Sequence, residues 1–103
     1  MNVEKALEYL ASTDEKIGIA KGCVKSTEFQ VKTSKAIAFL DAKGNNVAER
    51  EARAQIDHGH LTAMEAHADA VADYATLAAK RERAILTIEV WRTQEASSRK
   101  GHM

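Results

Sequence analysis

Proline is absent from this sequence of 103 residues, so no position forbids a continuous helix. Sheet-rich and loop-rich folds seldom manage without it. Cysteine is nearly absent too. Cys23 stands alone, which excludes an intrachain disulfide and fits a reducing compartment. Aromatics are limited to Tyr9, Phe29, Phe39, Tyr74 and Trp91. With much of the apolar content supplied by alanine, close helix packing is favoured over a thick globular core. Net charge is missing as well: 15 basic residues balance 15 acidic ones. No global field therefore draws the chain toward nucleic acid or a membrane surface, although a local patch remains open. No run of about 18 apolar residues exists to span a bilayer. The polar start, Asn2-Val3-Glu4-Lys5, predicts no secretory signal. A cytoplasmic protein of one domain is expected, residues 1–103, with no membrane partner.

What is there is helical periodicity. From about Asp57 to Arg99 there is no glycine after Gly59, and apolar residues recur at helical spacing. A helix of roughly 40 residues would be about 60 Å long. A compact domain of about 100 residues has a radius of gyration near 13 Å. The expectation is an all-α fold: an elongated antiparallel helical hairpin with short additional helices, associating as a bundle or coiled-coil-like oligomer.

Four helices are predicted. The first runs from about Val3 to Ala11, capped by Asn2, with Val3, Leu7 and Leu10 on one face. Ser12-Thr13 would cap a second, from about Asp14 to Ala42. Its seam is Ile17, Ala20, Val24, Val31 and Ala38, widened by Ile37 and Leu40. Gly18 and Gly22 weaken that helix and would admit another helix closely. Gly44 suits a left-handed helix end. Asn46 with Glu49 reads as a capping box for a short helix from Val47 to Ile56. After a corner at Asp57-His58-Gly59 comes the long helix. Its stripe holds Leu61, Met64, Val71, Tyr74, Leu77, Ile85, Ile88 and Trp91, with alanines 63, 66, 70, 78 and 84 between. That is wider than a two-position coiled-coil seam, although Met64, Val71, Ala78 and Ile85 are seven apart.

Folding the hairpin about the Gly44–Gly59 corner would set residues side by side when their numbers add to about 104. Lys35 would meet Asp69, and Lys32 would meet Asp73. Lys21 and Lys25 would join Lys80, Arg81 and Arg83 in a basic band, with Arg99 and Lys100 at the tail.

No residue group carries catalysis. Cys23 has no base beside it and reads as a buried packing residue. Glu65, Asp69 and Asp73 form a row four residues apart, which reads as a solvated face. No glycine-rich phosphate loop exists. Asp57, His60, Met64 and His67 would share a helix face, with His58 close by. A divalent metal accepts such ligands, but nothing completes a zinc or di-iron pattern, so a polar cap and part-buried seam is preferred. The expectation is therefore not an enzyme, with no cofactor and no metal.

The run Ala79-Lys80-Arg81-Glu82-Arg83-Ala84, then Glu89-Val90-Trp91-Arg92-Thr93-Gln94-Glu95-Ala96, ends in Arg99-Lys100-Gly101. It resembles small, largely uncharacterised helical proteins of phages and prophages, with a C-terminal tryptophan–arginine–serine/threonine run and a basic tail. The likeness extends through Phe39-Leu40 and the Gly44 corner. Here Ser97-Ser98-Arg99 stands where those relatives are more basic. Because such proteins often lie near recombination genes, the resemblance implies a phage origin, host cytoplasm and a link to DNA metabolism. It supplies no catalytic residue. The secreted tryptophan–x–glycine hairpins fit poorly, since the central turn lacks that motif. Gly101-His102-Met103 carries no functional weight.

Two functions compete. The first is a protein-binding adaptor or inhibitor of a host or phage enzyme. It is favoured by balanced charge, sparse aromatics and the interleaved Glu82, Glu89 and Glu95. The alternative is a DNA-associated accessory of phage recombination or replication, using Lys21, Lys25, Lys80, Arg81, Arg83, Arg99 and Lys100 on phosphates. A homo-oligomer, built as a symmetric dimer, is expected through Leu61, Val71, Tyr74, Leu77, Ile85, Ile88 and Trp91, with Trp91 as anchor.

Overall fold

The computed structural model describes residues 2–101; Met1, His102 and Met103 lie outside them. The described residues form three helices and no strand: α1 (Val3–Asp41), α2 (Val47–Gln55) and α3 (His58–Gly101). The fold is all-α. No helix among them is long and apolar enough to cross a membrane.

The helix starts follow ordinary capping. Asn2 Oδ1 accepts from Lys5 N at 2.8 Å, and Asn46 Oδ1 accepts from Glu49 N at 2.9 Å. Glu49 reaches back to Asn45 N at 2.8 Å, one residue beyond the Asn46 amide that a strict capping box would use. Asp57 opens α3, its Oδ2 accepting from His60 N at 3.1 Å.

Ser12 and Thr13 do not divide α1. Both lie mid-helix and donate their hydroxyl protons backward to Tyr9 O, at 3.0 and 2.7 Å. A hydroxyl that bonds its own helix's carbonyl no longer competes for the backbone, so the two predicted helices fuse into one of 39 residues.

Gly44 does not take the left-handed conformation. Its role is close approach: a Cβ there would meet Glu49 Cβ at 3.0 Å and Arg50 Cγ at 3.2 Å. The last turn of α1 has no basic residue of its own. Arg50 of α2 supplies the cation, its Nη2 donating to Phe39 O at 3.1 Å and Leu40 O at 3.3 Å. Its guanidinium lies 4.7 Å from the Phe39 ring centroid.

The chain forms two compact units. One combines the residues up to Ile19 with those from Ala75 onward; the other is Ala20–Tyr74. In each, a stretch of α1 lies antiparallel to a stretch of α3. The first unit's seam uses Val3, Ala6, Leu10, Thr13 and Ile17 of α1, with Leu77, Arg81, Ala84 and Ile88 of α3. The second uses Ala20, Val24, Thr27, Val31, Ser34 and Ala38, with His60, Ala63, His67, Ala70 and Tyr74. These buried and half-buried positions alternate three and four residues apart. The two-position seam that the sequence appeared to lack is therefore present. Leu7, Ile37 and Leu40, expected on it, are exposed.

Gly18 and Gly22 face open space: a Cβ at either meets nothing within 4 Å. Neither admits a helix of this chain. Replacing either by alanine should raise stability by about 1 kcal/mol, because each sits in an exposed helix interior. Gly44→Ala should lower it by about 1–3 kcal/mol through overpacking against Glu49. Urea unfolding at one fixed protein concentration checks all three.

Candidate interaction surface

Polar pairs set the register between the helices. Thr27 Oγ1 lies 2.9 Å from His67 Nδ1, and Ser34 Oγ lies 3.1 Å from His60 Nδ1. In the other unit, Arg81 Nη1 donates to Thr13 Oγ1 at 2.6 Å. In each case the two residue numbers add to 94. The expected total of about 104 is corrected by ten residues. Its error was to place the fold-back midway along Gly44–Gly59, whereas α3 starts at His58 roughly level with residue 36, and α1 runs on to Asp41. Lys35 and Lys32 therefore make no pair with Asp69 and Asp73. Arg81 Nη2 with Asp14 Oδ1, at 2.7 Å, is the ion pair found among the described residues.

The pairs share one design. Thr27 Oγ1 donates its proton to Cys23 O at 2.8 Å, and Ser34 Oγ donates to Val31 O at 2.9 Å. Each hydroxyl has one proton, so when it goes to the backbone carbonyl the cross-seam bond is made by an imidazole protonated at Nδ1. His60, 4% exposed, and His67 thus serve the helix pair one at a time. Asp57 caps α3 and Met64 is exposed, so the proposed ligand face does not converge. No group of three or more metal-ligating side chains occurs among the described residues.

The candidate basic residues divide. Lys21 and Lys25 lie in the second unit, and Lys80, Arg81, Arg83, Arg99 and Lys100 in the first. Arg81 is committed. Its guanidinium bonds Leu10 O at 2.9 Å, Thr13 and Asp14, and its side chain is only 17% exposed. It cannot serve a phosphate without opening the seam. Lys21, Lys25, Lys80, Arg83, Arg99 and Lys100 are exposed. Cys23 is also exposed, not buried as expected, because it flanks the seam position Val24 rather than occupying it.

The candidate apolar interface divides as well. Tyr74, Leu77 and Ile88 are half-buried on the seam toward α1. Leu61, Val71, Ile85 and Trp91 remain exposed. No large side chain among the described residues is fully buried, and the buried apolar residues are five alanines: Ala6, Ala38, Ala54, Ala70 and Ala84. Among the described residues fourteen large apolar side chains are exposed, Phe29, Leu40, Val47 and Ile56 included. Sequence reasoning missed a groove in the first unit. It has a volume of about 780 Å³ and is lined by Val3 and Glu4 of α1 and by Arg83, Leu86, Val90 and Trp91 of α3. Leu86 and Val90, at helical spacing with Arg83 and Gln94, were its signal.

Comparison with protein-family models, curated proteins and solved structures found no match.

Arg81→Ala should destabilise the fold by about 1–3 kcal/mol, since it strips a charged donor from buried acceptors. Asp14→Ala should cost under about 1 kcal/mol, because that carboxylate is mostly solvated. Chemical denaturation of both variants checks the order. Equal effects would show that the surface ion pair, not the seam contact, matters.

Proposed function

We propose that this chain is a non-enzymatic protein-binding module, an adaptor or inhibitor working through apolar helix surfaces. One observation carries the reading: among the described residues the buried apolar ones are all alanines, while fourteen large apolar side chains are exposed. Contiguous exposed apolar patches on soluble chains mark association surfaces. The groove of Val3, Leu86, Val90 and Trp91 supports a partner presenting an amphipathic helix.

Trp91 is the sole tryptophan, so its emission reports this groove directly. A partner helix captured from host lysate should shift Trp91 emission to shorter wavelength. Leu86→Asp with Val90→Asp should abolish both capture and shift while far-ultraviolet circular dichroism stays helical. Capture that ignores those substitutions would remove the groove from the mechanism. For the DNA alternative, anisotropy titration across salt is decisive. Phosphate contact requires affinity that falls steeply with salt and is lost in Lys80→Glu with Arg83→Glu. Committing Arg81 to Asp14 and Thr13 weighs against it.

A further inference from the structure

Within the second unit the two sides of the α1–α3 pair differ in chemistry. A residue that follows a seam position is turned about 100° from the seam at 3.6 residues per turn. Because the helices are antiparallel, all such residues of both helices lie on one side of the pair. Those that precede a seam position lie on the other. On the first side α3 presents Leu61, Met64, Ala68 and Val71. Leu61, Met64 and Val71 are between 43% and 48% exposed. Beside them α1 presents Lys21, Lys25, Glu28, Lys32 and Lys35, then Phe39. The other side holds Ser26, Gln30 and Thr33 of α1 with Thr62, Asp69 and Asp73 of α3, and Ile37 is its one large apolar residue.

We propose that the first side is a docking site for one acidic amphipathic helix of a partner protein. That helix lies in the trough between α1 and α3 as the third member of a bundle. Its apolar stripe meets Leu61, Met64 and Val71, and its carboxylates meet Lys21, Lys25, Lys32 and Lys35. The proposal rests on the protein-binding reading above and adds a second surface, in the other unit, with the chemistry of its occupant.

Spacing argues for a helix. Leu61, Met64, Ala68 and Val71 step by three, four and three, and the α1 row from Lys21 to Lys35 steps by four, three, four and three. Both rows therefore follow their helix axes and border one straight trough. From Lys21 to Lys35 it runs about 21 Å at 1.5 Å per residue, which about four turns of helix fill. Anchors at such spacing are how an apolar helix face is read by a groove. Ala68, small and midway along the apolar row, lets the occupant come close.

The chain supplies its own precedent at one end. α2 meets this side at Phe39, where the Arg50 guanidinium lies over the ring. Between α1 and α2 an open groove of about 490 Å³ remains, lined by Lys32, Lys35, Ala36, Phe39, Leu40 and Glu51. Leu40 is 72% exposed there. Lys32, Lys35 and Phe39 belong to both the groove and the docking side, so the apolar lining continues the site past Lys35. A helix already packs on this side, and Lys21, Lys25 and Val71 stay exposed.

Charge argues for an acidic occupant. Four lysines against Glu28 alone leave three uncompensated positive charges on the α1 row, and the α3 row has none of either sign. None of the four lysines makes an ion pair within the chain. Carboxylates along the occupant complement them, and such rim charges select the partner more than they hold it. Other anions fit less well. A phosphate backbone leaves Leu61, Met64 and Val71 uncovered. A flat lipid surface meets the crests of the two helices rather than the trough between them.

Fluorescence anisotropy with the full chain tests this. The probe is a fluorescein-labelled peptide of three heptads, with leucine and alanine on one face and glutamate on both flanks. A second probe carries lysine in place of every glutamate. The glutamate probe should bind, more weakly as salt rises, and the lysine probe should not. Met64→Gln with Val71→Gln should raise the dissociation constant about 10-fold. Lys25→Glu with Lys32→Glu should raise it about 10-fold and transfer binding to the lysine probe, which a misfolded chain cannot do. Leu86→Asp with Val90→Asp, in the other unit, should change nothing. Loss of binding in that last variant, or equal binding of both probes, overturns the site. No binding of the glutamate probe also overturns it, and the protein-binding reading then stands or falls on Trp91 and lysate capture. Tighter binding to phosphatidylserine vesicles or to a single-stranded oligonucleotide overturns the choice of occupant. So does a dimer, seen in sedimentation, that Met64→Gln with Val71→Gln dissolves.

Discussion

Two helices approach closely where the layers of their seam pair a small side chain with a larger one. The rest of this structure depends on that constraint. On α1 the positions between the aliphatic ones are small: Ala6, Thr13, Ala20, Thr27 and Ser34. The corresponding α3 positions carry His60, His67, Tyr74, Arg81 and Ile88. Where α1 turns aliphatic, at Leu10, Val24 and Val31, the register sets Ala84, Ala70 and Ala63 at the same level. Most layers thus pair a small residue with a larger one, although Ile17 meets Leu77 in the first unit. The polar members of the series are what prevent a slip. Moving the register by one heptad would set Arg81 against Ala20 or Ala6 and leave one of the two histidines without a hydroxyl partner, each loss costing about 1–3 kcal/mol. Buried polar groups that specify register at some cost in stability are a known use of such layers.

Much of this was legible in the sequence, and the part that was not has physical causes. The α1 seam residues Ile17, Ala20, Val24, Val31 and Ala38 follow directly from helical periodicity. So do the caps Asn2 and Asn46, whose short side-chain oxygens reach amides three residues on. Thr13 misled because a hydroxyl can cap a new helix or bond back to the old one, and only the neighbouring Arg81 decides between them. On α3 two apolar columns lie side by side, so the stripe looked wide and unstructured. Periodicity registers both columns but cannot say which of them faces α1.

The register error is instructive for the candidate site. A hairpin's midpoint was placed from turn residues alone, yet α2 occupies most of that turn and packs back onto α1 through Arg50. Ten residues of displacement moved Arg81 from a supposed basic band to Asp14 and Thr13. Charge arithmetic along a sequence is only as good as the register it assumes, and exposed Lys–Asp pairs, worth well under about 1 kcal/mol, cannot enforce one. Packing and buried hydrogen bonds can.

The polar pairs also order events in time. Ser34 and His60 are separated by 26 residues, Thr27 and His67 by 40, and Thr13 and Arg81 by 68. Each closure adds little entropy cost once the shorter loop inside it is formed. During synthesis, however, Thr13 must wait 68 residues for Arg81, about 3–14 s at ordinary translation speeds. For that interval the amino-terminal half of α1 stands with its aliphatic column bare. The nascent chain is therefore most open to capture, whether by a chaperone or by the wrong helix, at the end that was made first.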